Sequence, residues 1–97
     1  MSVVETLTFR LASGSGESAF READGRVQTE FTYLQPGLAR RTTARGGDGE
    51  WLVLTLWVSE ADAEASEARA RDDPAVSALL AMVDRSTVRT KRYRTLD

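Results

Sequence analysis

The chain has 97 residues, with 13 basic and 15 acidic side chains for a formal charge of −2, and no histidine or cysteine. That length suits one compact domain around one core. The missing residue types exclude a disulfide framework, thiolate or imidazole metal sites, a histidine-ligated haem and a Ser-His-Asp triad. The near-neutral charge offers no field to attract nucleic acid, and no apolar run approaches the ~20 residues of a membrane span. Met1-Ser2-Val3-Val4-Glu5 lacks the basic and apolar regions of a signal peptide, so the expected location is cytoplasmic.

Residues 3–12 alternate. Val3, Leu7, Phe9 and Leu11 share one parity with Glu5, which predicts a strand. Ser13-Gly14-Ser15-Gly16 interrupts it, with Ser15 the expected N-cap of a helix that has Glu17 in its first turn. Phe20, Ala23, Val27, Phe31 and Leu34 then recur at spacings of three and four, an amphipathic stripe that runs across Gly25 until Pro36-Gly37 ends it. Residues 38–45 read as a strand rich in Arg and Thr. Gly46-Gly47-Asp48-Gly49 supplies the positive-φ positions of a hairpin turn, and residues 50–58 form the most apolar strand. Ser59-Glu60-Ala61-Asp62 matches a helix-capping pattern and opens an alanine-rich helix with Ala61, Ala63, Ala65 and Ala68. Asp73-Pro74 reads as a second cap with proline at the first helical position, leading into Val76, Leu79, Leu80 and Val83. Residues 86–96 form the last strand, with Arg89, Lys91, Arg92 and Arg94.

The order β-α-β-β-α-β, with its second helix in two pieces, predicts one α+β domain over residues 1–97. Its fold is ferredoxin-like, with a four-stranded antiparallel sheet. Right-handed crossovers put the first and third strands in the middle and the two Arg-rich strands at the edges, where charge deters stray pairing. The third strand is apolar on both sides. Leu52, Leu54, Leu56 and Val58 share one face, and Trp51, Val53, Thr55 and Trp57 the other. Helices cover only one face, and each exposed Leu forgoes ~1.5–3 kcal/mol of burial. A second copy packed on the leucine face is the expected cover, which makes the protein a homodimer.

Gln35-Pro36-Gly37-Leu38-Ala39-Arg40-Arg41, then residues 48–59 through Trp57-Val58-Ser59, then Ala61-Asp62-Ala63-Glu64-Ala65, resemble the dimeric α/β-barrel superfamily. The glycine-leucine entry to the second strand and the Trp-x-Ser close of the third carry the likeness. That superfamily includes the antibiotic-biosynthesis monooxygenases and the haem-degrading monooxygenases. The resemblance implies two sheets packed face to face into a barrel, no cofactor, and a pocket between sheet and helices lined by Trp57. By parity Thr55, Val53 and Trp51 then share the pocket side, and Leu52, Leu54, Leu56 and Val58 form the dimer core. The chain contains neither Asn nor His, and so lacks the histidine of the haem-degrading members and the asparagine of both groups.

Other candidates rest on the residues themselves. Glu5 interrupts the apolar parity of the first strand. Turned into the sheet–helix space it is a candidate general base, and turned outward it pairs with an Arg of a neighbouring strand. Phe31 and Tyr33 close the first helix, where Phe31 continues the apolar stripe and Tyr33, off that stripe, either orients a phenolic ligand through its hydroxyl or faces solvent or a dimer contact. The alanine run opposite an aromatic strand face predicts a cavity bounded by Trp57, Thr55, Phe31 and Glu5. The arginines of the second and fourth strands read as edge protection, and Asp72-Asp73 as a helix cap in preference to a cation site. No RNA-binding pattern is present around Trp51. The resemblance implies a cofactor-independent, monooxygenase-like enzyme acting on an aromatic or polyketide-type metabolite; the alternative is a non-catalytic barrel that binds a ligand or steadies a partner.

Overall fold

In the computed structural model, which describes residues 1–96, strand alternation decides the layers. Val3, Phe9, Trp51, Val53 and Trp57 are buried on the face that the helices cover, while Leu52, Leu54 and Leu56 stay half-buried on the other. The elements are β1 (Val3–Leu11), α1 (Glu17–Glu30), a short 3-10 turn (Thr32–Leu34), β2 (Leu38–Arg45), β3 (Trp51–Trp57), α2 (Glu60–Ala70), α3 (Pro74–Leu80) and β4 (Val83–Arg94). The sheet runs β2-β3-β1-β4 and is antiparallel throughout, so β1 and β3 are central and the Arg-bearing β2 and β4 are the edges. This is the ferredoxin-like arrangement expected from the element order.

The core sits at one end of the covered face. Phe20, Ala23 and Val27 of α1 meet Phe9, Trp51, Val53, Leu79 and Val83. The Phe20 ring lies 5.7 Å from Phe9, edge-on, and 4.7 Å from Trp51. Burying side chains of this size contributes ~1.5–3 kcal/mol each, which makes this cluster the main anchor of α1.

Local signals set the helix starts. The Ser59 hydroxyl accepts the Asp62 N–H at 3.1 Å and donates to Asp62 Oδ2 at 2.9 Å. Asp73 Oδ2 accepts the Val76 N–H at 3.0 Å, with Pro74 opening α3. Gly37 has φ +80°, and a Cβ there would run into the Asp62 side chain, so this turn and the start of α2 demand glycine. Gly49, at φ +88°, closes the β2–β3 hairpin, where Gly46 N–H donates to the Glu50 carbonyl at 2.7 Å.

Several expectations are corrected. Gly16, not Ser15, is the N-cap of α1, and no side chain caps that end. The helix stops at Glu30 and the 3-10 turn rotates Leu34 outward, leaving it 71% exposed instead of in the core stripe. Val83 belongs to β4, which begins three residues earlier than expected. On α2 the buried residues are Ala63 and Ser66, while Ala61 and Ala68 face outward. Arg41 is not edge protection: it is buried beneath α1, where its Nη2 meets Asp24 Oδ1 at 2.7 Å and its Nη1 donates to Gln28 Oε1 at 3.1 Å.

Candidate functional site

The covered face has a second end, beyond the core and beneath α2. There β1, β3 and β4 and the inner side of α2 border a half-open cavity of about 360 Å³. Its apolar wall is Trp57, Val53, Leu7, Ala63 and Ala70, and its polar wall includes Glu5, Thr55, Ser66, Thr90 and Arg92. The space exists because α2 presents Ala63, Ser66 and Ala70, at spacings of three and four, where larger side chains would fill it.

Sheet register explains the polar wall. Arg41, Thr55, Glu5 and Arg92 occupy one transverse row across β2, β3, β1 and β4 on the helix side. Arg92 directly opposes Glu5, and its Nε and Nη2 donate to Glu5 Oε2 at 3.0 and 2.8 Å. Both contacts fall on Oε2, which leaves Oε1 outside the pair. The same guanidinium reaches across to α2, with Nη2 at 3.3 Å from Glu67, and Nη1 at 3.4 Å from Glu64 and 3.6 Å from Glu60. Glu60 also takes Arg94 at 3.4 Å. The Glu5 hydrogen bonds, with the charges of Glu5, Glu67 and Glu60, push the Arg92 guanidinium still further above its ordinary range, so it stays charged at every working pH.

Trp57 is 4% exposed, and its buried Nε1–H has no hydrogen-bond partner among the described residues. An unmatched buried donor costs about 1–3 kcal/mol and is uncommon in a well-packed core.

Of the residues singled out in the sequence, the cavity brings together Trp57, Thr55, Val53 and Glu5. Trp51 lies outside it, in the core beside Phe20 and along a separate polar groove between α1 and β2. Phe31 is buried at the end of α1 and is not part of the cavity wall; Tyr33 is 56% exposed and its hydroxyl accepts from Gln28 Nε2 at 2.6 Å. Leu52, Leu54 and Leu56 lie on the opposite face, and Val58 sits just past β3, exposed. The sequence reading missed Arg92, Ser66 and Ala70 as cavity residues. The 63–66–70 spacing of small residues was a legible signal for two of them; Arg92 required the β1–β4 register. Among the described residues no group of acidic side chains is arranged to hold a metal ion, and no helix is long and apolar enough to cross a membrane.

No family model and no curated protein sequence matches the chain. Its fold, by contrast, has many solved counterparts. SnoaB from Streptomyces nogalater, a cofactor-independent oxygenase, superposes with a TM-score of 0.81 at 19% identity, over 99% of this chain and 94% of that one. A Nitrosomonas europaea protein, provisionally assigned as an antibiotic biosynthesis monooxygenase, gives 0.78 at 18% identity over 98% and 90%. Rv0793 from Mycobacterium tuberculosis gives 0.72 at 18% identity over 100% and 97%. The chain therefore has the ferredoxin-like fold of the antibiotic-biosynthesis-monooxygenase-like proteins.

Proposed function

We propose that the chain is a cofactor-independent, monooxygenase-like enzyme that binds a flat aromatic, polyketide-type metabolite in the cavity beneath α2. We further propose that it works as a homodimer joined through Leu52, Leu54, Leu56 and Val58. The observation that carries the reading is a half-open, largely apolar cavity with an ionisable group and, among the described residues, an unmatched Trp57 N–H in its walls. A ring of the substrate lies against Trp57, Val53 and Ala63, and a ring oxygen accepts the Trp57 N–H. Glu5, through Oε1, takes a proton from a ring methylene made acidic by its flanking aromatic rings. The resulting carbanion is the reductant: it adds dioxygen to give a hydroperoxide, which loses water to leave a ring ketone. One oxygen atom enters the product and the other leaves as water, so no external electron donor is consumed.

The test pairs binding with turnover. Hydroxymethyl-anthraquinone, a product-like probe, should quench tryptophan fluorescence, and Trp57→Phe should remove most of that response while Trp51 remains. Anthrone, with one activated methylene, should yield anthraquinone and consume one dioxygen per product formed. A probe that leaves Trp57 fluorescence untouched overturns the cavity reading. Binding without turnover supports the second reading, a ligand-binding barrel. The lack of Asn and His favours that reading, as does the commitment of Glu5 Oε2 to Arg92.

A further inference from the structure

We infer that the cavity selects uncharged aromatic ketones and phenols over their carboxylate-bearing analogues, and that Glu64 and Glu67 of α2 set this preference. The inference rests on the cavity being a ligand site, as proposed above. An arginine at such a site ordinarily invites a carboxylate, because its five N–H donors match one in a bidentate fork. Here four of those five donors are already taken. Nε and Nη2 hold Glu5, Nη2 also meets Glu67, and Nη1 lies between Glu64 and Glu60. One Nη1 N–H is left without a hydrogen bond, and it faces the Glu60 carboxylate at 3.6 Å.

The surrounding charge points the same way. Four carboxylates, Glu5, Glu60, Glu64 and Glu67, surround two guanidinium groups, Arg92 and Arg94, along the β4–α2 wall. A ligand carboxylate entering beside them meets an excess of like charge, and partial exclusion of water strengthens that repulsion. Lys91 borders the cavity along β4, but it alternates with Arg92 and belongs to the row of Leu54 and Thr6, on the open face. The donors left for a ligand are uncharged. Among the described residues the buried Trp57 N–H has no partner, and the hydroxyl-bearing Thr55, Ser66 and Thr90 line the same space. This set suits carbonyl and phenol oxygens.

The experiment compares hydroxymethyl-anthraquinone with the anthraquinone carboxylate of the same substitution position, by Trp57 quenching at low salt. The uncharged probe should bind about tenfold tighter or better, a difference near 1.4 kcal/mol. The double variant Glu64→Gln, Glu67→Gln keeps acceptor oxygens for Arg92 and alters only side chains that are mostly solvent-exposed. It should narrow the difference to about threefold, largely by strengthening carboxylate binding, and raised ionic strength should narrow it in the wild type. Equal or tighter carboxylate binding by the wild type overturns the inference and leaves the cavity reading standing. An unchanged preference in the double variant overturns the role of the two glutamates. Failure of both probes overturns the cavity reading and the inference with it.

Discussion

Glu5 and Arg92 face each other across the β1–β4 pairing, and the guanidinium closes on one carboxylate oxygen at 2.8 Å beneath α2. Neither side chain is fully buried, so the pair is worth more than a surface ion pair and less than a buried one. Arg92→Ala leaves Glu5 unmatched and also unties α2 from β4. A loss of about 1–2 kcal/mol is expected in urea unfolding. Glu5→Gln separates the two roles of the carboxylate. Anthrone turnover should fall by about two to four orders of magnitude if Glu5 is the base, while the affinity for hydroxymethyl-anthraquinone changes little.

The second internal ion pair is structural. Arg41 and Asp24 have side chains only 4% and 16% exposed, and Asp24 Oδ1 also accepts from Thr43 at 3.0 Å. Asp24→Ala strands a buried guanidinium and should cost about 3 kcal/mol. The double change Asp24→Leu, Arg41→Met removes both charges together and should recover most of that loss in the same unfolding experiment. A double variant as unstable as Asp24→Ala would show that packing, not charge, dominates the site.

On the open face Leu52, Leu54 and Leu56 form a row flanked by Thr6 and Thr8 of β1 and Thr42 and Ala44 of β2. Such a row on a central strand calls for a cover, and the proposed homodimer is the arrangement that would supply one. Sedimentation at micromolar concentration should give a dimer, and Leu54→Asp should give monomer or aggregate. A wild-type monomer under those conditions rules out the dimer.

The hairpin turn carries its own pH signature. Asp48 accepts the Glu50 N–H at 3.0 Å and meets Arg10 at 3.2 Å, and these contacts hold its carboxyl below the ordinary value. A carboxyl lowered in the folded state lends stability above its unfolded pKa and loses it as pH falls through the folded one. The turn should therefore persist through mild acid and loosen only below the ordinary Asp midpoint. The Glu50 amide shift, followed by NMR as pH is lowered, should move with that depressed midpoint.

Much of the fold was legible because strong local signals agreed with the global pattern. Ser59 and Asp73 capped the helices they were expected to cap; the family resemblance put Trp57 on the helix side, and strand parity carried Val53 and Thr55 with it. Parity names a face and not a position along it. Trp51 and Trp57 share a face, yet six residues of strand separate them by roughly 20 Å. One therefore lies in the core under α1 and the other in the cavity under α2. Leu34 left the core for a different reason: the stripe assumed a helix continuing past Glu30, and the 3-10 turn changes the angle between successive side chains, so Phe31 stays buried while Leu34 turns outward. Arg92 was hidden because the register between β1 and β4 shifts between Thr8 and Arg10, and no sequence period encodes that shift.

The small residues beneath α2 have a consequence for motion. α1 is nailed down by Phe20 and Val27, whereas α2 buries only Ala63 and Ser66 and otherwise leans on its ion pairs. Local unfolding of α2 therefore exposes little apolar surface and requires less free energy than unfolding of α1. Its amides should exchange with deuterium well ahead of those of α1, and faster still when salt weakens the ion pairs. The cavity is already half open to solvent, and α2 is thereby the wall most free to shift when a ligand enters.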